Sequence, residues 1–295
     1  MERLQGLIQK SIAGFYYVEV GDVVFECRAR GAFRKEGITP LTGDLVQISV
    51  DQNQKGMVEE IIDRKNFLIR PPIANIAKLY IIVSVADPAP NLLVIDKLLS
   101  IAEDRCIRPV LVLNKTDLGD PQQITDIYQK AGYDVLTACA KTGEGCQEIR
   151  NSFSDGINVF TGNSGVGKSS LLNRIDPRLT IATNEISQKL GRGKHTTRHA
   201  QLYPLPNGGY VADTAGFSSV DLAEYEQVLK ENLAFSFREF APALGKCKFS
   251  SCSHTGDAGC AVKQLVNQGD IALSRYENYC SLYQDMKNKK ERGTK

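Results

Sequence analysis

The sequence predicts an α/β protein: a layered domain with a mostly parallel sheet around a phosphate-binding loop. A small β-barrel should precede it and a helical segment with a metal knuckle should follow. Three observations predict this. Residues 1–70 break into short alternating runs separated by glycine turns. Beyond Pro71-Pro72, apolar runs of strand length alternate with runs of helical spacing, and one of them leads into G-x-x-x-x-G-K-S. Near the C-terminus, three cysteines and a histidine crowd between Cys247 and Cys260.

In residues 1–70, Phe15 to Val20 and Val23 to Ala29 flank Gly21-Asp22, a two-residue hairpin signal. Val23, Phe25, Cys27 and Ala29 fall on one face, because successive strand side chains point to opposite sides. Asp44 to Val50 alternates again, and Met57 to Ile62 adds a strand. This fits an OB-fold barrel; periodicity alone equally allows a generic β-domain. Pro71-Pro72 marks a boundary, since the residue before a proline is pushed out of helical geometry. In residues 71–222, strands are expected from Lys78 to Val85, Pro109 to Leu113, Tyr133 to Leu136, Ile157 to Phe160 and Tyr210 to Ala212. Helices are expected from Leu92 to Glu103 and from Gln122 to Ala131. Residues 223–295 read as helical, and Ala272, Tyr276, Tyr279, Tyr283 and Met286 form a stripe suited to core packing.

Composition narrows the function classes. A formal net charge of +2 leaves nucleic-acid contact to local basic patches. The apolar run Leu79 to Ala86 is too short to span a bilayer, and no signal peptide or lipid anchor is expected. Of eight cysteines only Cys247, Cys252 and Cys260 cluster, a pattern for a reducing cytoplasm with one metal site. Without a coiled-coil pattern, a monomer is the expectation.

The loop Gly162-Asn163-Ser164-Gly165-Val166-Gly167-Lys168-Ser169 follows a strand and precedes the helical run from Ser170 to Ile175. Glycines let backbone N–H groups turn inward onto phosphates, and the helix adds its positive end. Lys168 should reach the β- and γ-phosphates and Ser169 should ligate Mg²⁺. This motif does not choose between ATP and GTP.

Asn114-Lys115-Thr116-Asp117 ends a strand and resembles the N-K-x-D motif of translation-factor-like GTPases. The resemblance implies that Asp117 accepts hydrogen bonds from guanine N1–H and the exocyclic amine, a donor pair adenine lacks. Lys115 would lay its aliphatic stem over the base. Cys139-Ala140-Lys141 resembles the S-A-K loop, whose alanine N–H meets guanine O6. Asp213-Thr214-Ala215-Gly216 resembles D-x-x-G: Asp213 would hold Mg²⁺ through water, and the Gly216 N–H would sense the γ-phosphate.

Upstream, Gly191-Arg192-Gly193-Lys194-His195-Thr196-Thr197-Arg198 has a switch-loop composition. Thr197, nearer the next strand, is the candidate Mg²⁺ ligand, with Thr196 as the alternative. Phe217 stands where Ras-like enzymes carry a water-orienting glutamine, so His195 is the candidate to take that role. The alternative has His195 packing or contacting a phosphate-rich partner. Base recognition precedes the phosphate loop here, so the usual motif order is circularly permuted.

Cys247, Cys252, His254 and Cys260 read C-x4-C-x-H-x5-C, a closed tetrahedral Zn²⁺ set with no open position for catalysis. Lys246, Lys248 and Lys263 surround it, and Lys287, Lys289, Lys290 and Arg292 end the chain. The whole resembles the ribosome small-subunit-dependent GTPase A family of circularly permuted bacterial GTPases. Cys139 in place of serine and Ala215 in place of proline are its departures. The resemblance implies a late assembly factor of the 30S subunit that leaves after stimulated GTP hydrolysis, with barrel and zinc region touching 16S rRNA. Arg28, Arg30, Arg34 and Lys35 fit an RNA face, and equally a solvated one. A nucleotide-gated RNA-binding module, in which hydrolysis only times release, is the alternative. A large-subunit or membrane partner is a third reading.

Overall fold

The computed structural model describes residues 2–51, 55–69, 71–179, 200–206, 208–213 and 228–292. Two compact units divide the chain. The first takes residues 1–79, 150–161 and 168–216; the second takes 80–149, 162–167 and 217–295.

In the first unit β1 (Glu2–Ile12), β2 (Phe15–Val20), β3 (Val23–Ala29), β4 (Leu45–Val50) and β5 (Gly56–Ile61) form a closed barrel. Their order is β1-β2-β3-β5-β4, and β4 returns to pair with β1 from Glu2↔Val50 to Leu7↔Leu45. Among the described barrel strands only β3 and β5 pair in parallel. This closure is the OB arrangement, so the barrel reading holds over the generic β-domain. Ile8, Val18, Cys27, Val46, Ile48 and Val58 fill it. Cys27 lies inward as expected, whereas Val23 is exposed at the hairpin end.

The eleven-residue β1 was not among the expected strands. Its alternation is interrupted by a register shift between Ile8 and Lys10 and by Gly6. A Cβ at Gly6 would lie 2.4 Å from the Glu19 carbonyl oxygen, so the residue that permits close strand approach also erases the pattern. A short helix α1 (Gly31–Lys35) follows β3, and β6 (Phe67–Leu68) pairs with β7 (Ile73–Ala74). The unit also contains, among its described residues, β11 (Ile157–Thr161), β12 (Gln201–Pro204) and β13 (Tyr210–Asp213). β11 and β13 are parallel, β12 and β13 antiparallel. Helix α5 (Lys168–Ile175) packs against β13.

β8 (Ile76–Ser84) runs from the first unit into the second, where the strand order is β10-β9-β8. β9 (Arg108–Asn114) and β10 (Asp134–Ala138) are parallel. Helix α2 (Leu92–Asp104) starts where the Asn91 side chain accepts the Val94 N–H, and it turns Ile95, Leu98, Leu99 and Ala102 inward. Helices α3 (Gln122–Lys130) and α4 (Cys146–Asn151) follow. Among its described residues the C-terminal region holds short 3₁₀ turns and two helices, α6 (Ala261–Asn267) and α7 (Leu273–Arg292). Of the expected stripe on α7 only Tyr279 is fully buried. The inward face is instead centred on Arg275, Tyr279 and Leu282.

Candidate functional site

β9 delivers Asn114, fully buried, to the carboxyl end of its sheet, where α/β proteins place ligand loops. The Asn114 Nδ2 donates to the Val166 carbonyl at 2.8 Å, and its Oδ1 accepts the Ala140 N–H at 3.2 Å. One side chain thus fastens the phosphate loop to the Cys139-Ala140-Lys141 loop. Two glycines make that approach possible. A Cβ at Gly167 would sit 2.5 Å from Asn114 Nδ2, and one at Gly162, where φ is 142°, would sit 2.2 Å from the Ile82 carbonyl oxygen.

Lys115 has left-handed backbone geometry, φ 64°, and its ammonium donates to the Asp87 carbonyl. The Asp117 Oδ1 accepts from the Cys139 thiol at 3.3 Å, and Oδ2 meets Lys141 Nζ at 3.4 Å. The Cys139 bond, helped by Lys141 and opposed by desolvation, holds the Asp117 carboxyl below the usual carboxylate range. Its side chain remains 25% exposed. Cysteine in place of serine therefore still supplies a donor that steadies this acceptor.

In the first unit Phe160 of β11 lies opposite Asp213 at the end of β13. Lys168, buried, and Ser169, half-buried, open α5. The Ser169 hydroxyl is a hard oxygen donor of the kind Mg²⁺ takes. Gly165, Ser164 and Ser170 are exposed. Of Asp213 only the backbone is described; His195, Thr196, Thr197 and Gly216 lie outside the described residues.

The knuckle assembles as its spacing predicts. Ligand atoms of Cys247, Cys252, His254 and Cys260 lie within 4.8 Å of one another. The three sulfurs stand 3.5, 3.6 and 3.6 Å from His254 Nδ1. Zinc bonds of about 2.3 Å to sulfur and 2.0–2.1 Å to nitrogen, at tetrahedral angles, require about 3.6 Å. The donor set therefore fits zinc in type, number and spacing. His254, at φ 59°, is oriented by a tight backbone, and Phe240 stands edge-on to its ring at 6.4 Å. Asp257 Oδ2 accepts from the Ser253 N–H and hydroxyl, both at 3.0 Å, which folds the loop round the ligands.

Two residues that shape these sites were not singled out from the sequence: Asp257, although it lies inside the H-x5-C stretch of the knuckle, and Asp87, which belongs to no motif.

Residues 61–223 match the family described as RsgA GTPase, and residues 5–58 match the RsgA N-terminal domain. The Small ribosomal subunit biogenesis GTPase RsgA of Caldanaerobacter subterraneus subsp. tengcongensis is 42% identical over 295 residues, 99% of each chain. YjeQ from Thermotoga maritima superposes with a TM-score of 0.81 at 34% identity, over 97% of this chain and 99% of that one. YloQ, described as a circularly permuted GTPase, gives 0.77 at 32%, over 98% and 96%. With the family model matching residues 61–223 and a 42% identical relative covered almost end to end, the chain belongs to the RsgA GTPase family.

Proposed function

We propose that this chain is a GTPase acting late in maturation of the 30S ribosomal subunit, converting GTP and water to GDP and phosphate under stimulation by that subunit. The observation that carries the enzymatic half is Asn114 joining the phosphate loop to the C-A-K loop beside the steadied carboxylate of Asp117. The ribosomal half rests on the relatives' shared name.

In this reading Asn114, Lys115, Asp117, Cys139, Ala140 and Lys141 hold the base. Residues 162–170 cradle the phosphates, and Lys168 offsets their charge. Ser169, Asp213 and Thr197 or Thr196 hold Mg²⁺, which when bound neutralises charge developing on the transferred phosphoryl group. The Gly216 N–H reads the γ-phosphate and His195 orients water. Residues 1–70 serve as the rRNA-facing barrel, 71–222 as the GTPase and 223–295 as the zinc-knuckle region, with 16S rRNA as the contacted nucleic acid. The protein works as a cytoplasmic monomer. Among the described residues no helix is long and apolar enough to cross a membrane.

Turnover by the purified protein, alone and with isolated 30S or 50S subunits, tests the assignment. Stimulation by 30S alone is expected, and its loss in His195→Ala with nucleotide and subunit binding intact would assign the hydrolytic role. Stimulation by neither subunit would overturn the ribosomal reading. Asp117→Ala should weaken GDP binding about 100-fold or more, since it removes two charge-assisted hydrogen bonds worth roughly 1.5–3 kcal/mol each. Titration with a fluorescent GDP analogue checks this, with ADP competition as the control.

A further inference from the structure

The loop that leaves β8 contains none of the recognised nucleotide motifs, yet it lies against two of them. Ser84 ends β8 with a fully buried side chain. Its hydroxyl donates to the Asp87 carbonyl at 2.8 Å and accepts the Ala86 N–H at 3.3 Å, closing the turn on itself. The same Asp87 carbonyl receives the Lys115 ammonium. On the base side, a Cβ at Gly119 would touch Val85 and Ala86 at 3.7 and 3.8 Å. On the phosphate side, a Cβ at Gly165 would be 3.7 Å from Pro88. Pro88 and Asn91 also line a cavity with Gly162, Asn163 and Val166.

We propose that Ser84 is a positioning residue for guanine nucleotides: its hydroxyl fixes the Asp87 carbonyl, which anchors the Lys115 ammonium and lays the lysine stem as the base platform. The inference rests on the GTPase reading above. A long flexible lysine loses rotamer freedom when it becomes a platform, and an acceptor fixed beforehand lessens that cost on binding. Without the Ser84 hydroxyl the turn loses the bond that aims the carbonyl, and Lys115 is left to find its place when nucleotide arrives. The effect acts on the base, so it should be shared by GDP and GMP.

The test is a double-mutant cycle on the full-length protein, read as Kd for fluorescent GDP and GMP, with Ser84→Ala, Lys115→Met and the pair. Ser84→Ala is expected to weaken both ligands by the same factor, about five- to tenfold, the worth of one buried hydrogen bond. In the Lys115→Met background the same change should cost less than about twofold, because its route to the base has gone. Equal losses in both backgrounds, or a loss confined to GDP, would overturn the proposal. Should Ser84→Ala not fold, Ser84→Cys keeps the shape with a weaker donor. An intermediate loss is then expected, and undiminished affinity sinks the idea. Wild-type protein without preference for GDP over ADP overturns the GTPase reading itself, a result distinct from an additive cycle.

Discussion

Replacing Arg275 with alanine is expected to lower the opening free energy of helix α7 by about 3–5 kcal/mol, the cost of stranding buried charges. The side chain is 1% exposed. Its Nε and Nη2 grip Glu239 at 2.7 and 3.0 Å, and Nη1 meets Asp96 of α2 at 2.6 Å. Asp96, itself fully buried, also accepts from Tyr128 and Asn278, each at 2.7 Å. The guanidinium lies 4.5 Å from the Phe237 ring centre and 5.4 Å from that of Tyr133. Burial opposes the charge, but Asp96 and Glu239 outweigh it and raise the Arg275 pKa well above the ordinary value. Alanine would leave both carboxylates without their cation. Lysine should rescue little, because a point ammonium cannot reproduce the fork to Glu239 while reaching Asp96. Hydrogen exchange of the α7 amides reads the effect directly. Unchanged protection in Arg275→Ala would mean that the cluster contributes little to holding α7 on α2.

On the zinc reading of the knuckle, loss of the metal should have a still larger local effect. Structural zinc contributes apparent free energies of about 10–16 kcal/mol in finger peptides at neutral pH, and residues 247–260 have little other core to fall back on. Cys260→Ser is therefore expected to reduce bound zinc from one per chain to near zero and to abolish exchange protection across residues 247–260. The consequence should spread. The Tyr279 hydroxyl donates to the Ser253 carbonyl at 2.8 Å, and Phe240 packs on Tyr279 at 4.8 Å between ring centres. Loosening the knuckle removes one wall of that aromatic cluster, so the middle of α7 should exchange faster too. Elemental analysis with exchange mass spectrometry checks both parts. A Cys260→Ser protein that keeps full zinc would exclude Cys260 from the ligand set.

How much was legible beforehand follows from distance along the chain. The phosphate loop, Asn114 to Asp117 and the knuckle were readable because each packs its chemistry into a few consecutive residues whose types fix what they can bind. Strands β2 and β3 were readable because their hairpin turn and alternation are local. Strand β1 was not, since Gly6 and the register shift after Ile8 break its alternation, and its identity as the closing strand depends on β4, some forty residues on. The bolt made by Arg275 was hidden for the same reason. A helical period marks which face turns inward, but no pattern announces that an arginine there will meet an aspartate 179 residues away. Residue types and short spacings alone thus marked the candidate ligands, the order of the motifs and most of the elements. Tertiary structure alone decided that Asn114 holds two loops at once, that Asp87 presents a carbonyl to Lys115, and that a charged residue lies at the centre of the C-terminal packing. These depend on long-range hydrogen bonds, whose partners are chosen by folding and not by neighbouring sequence.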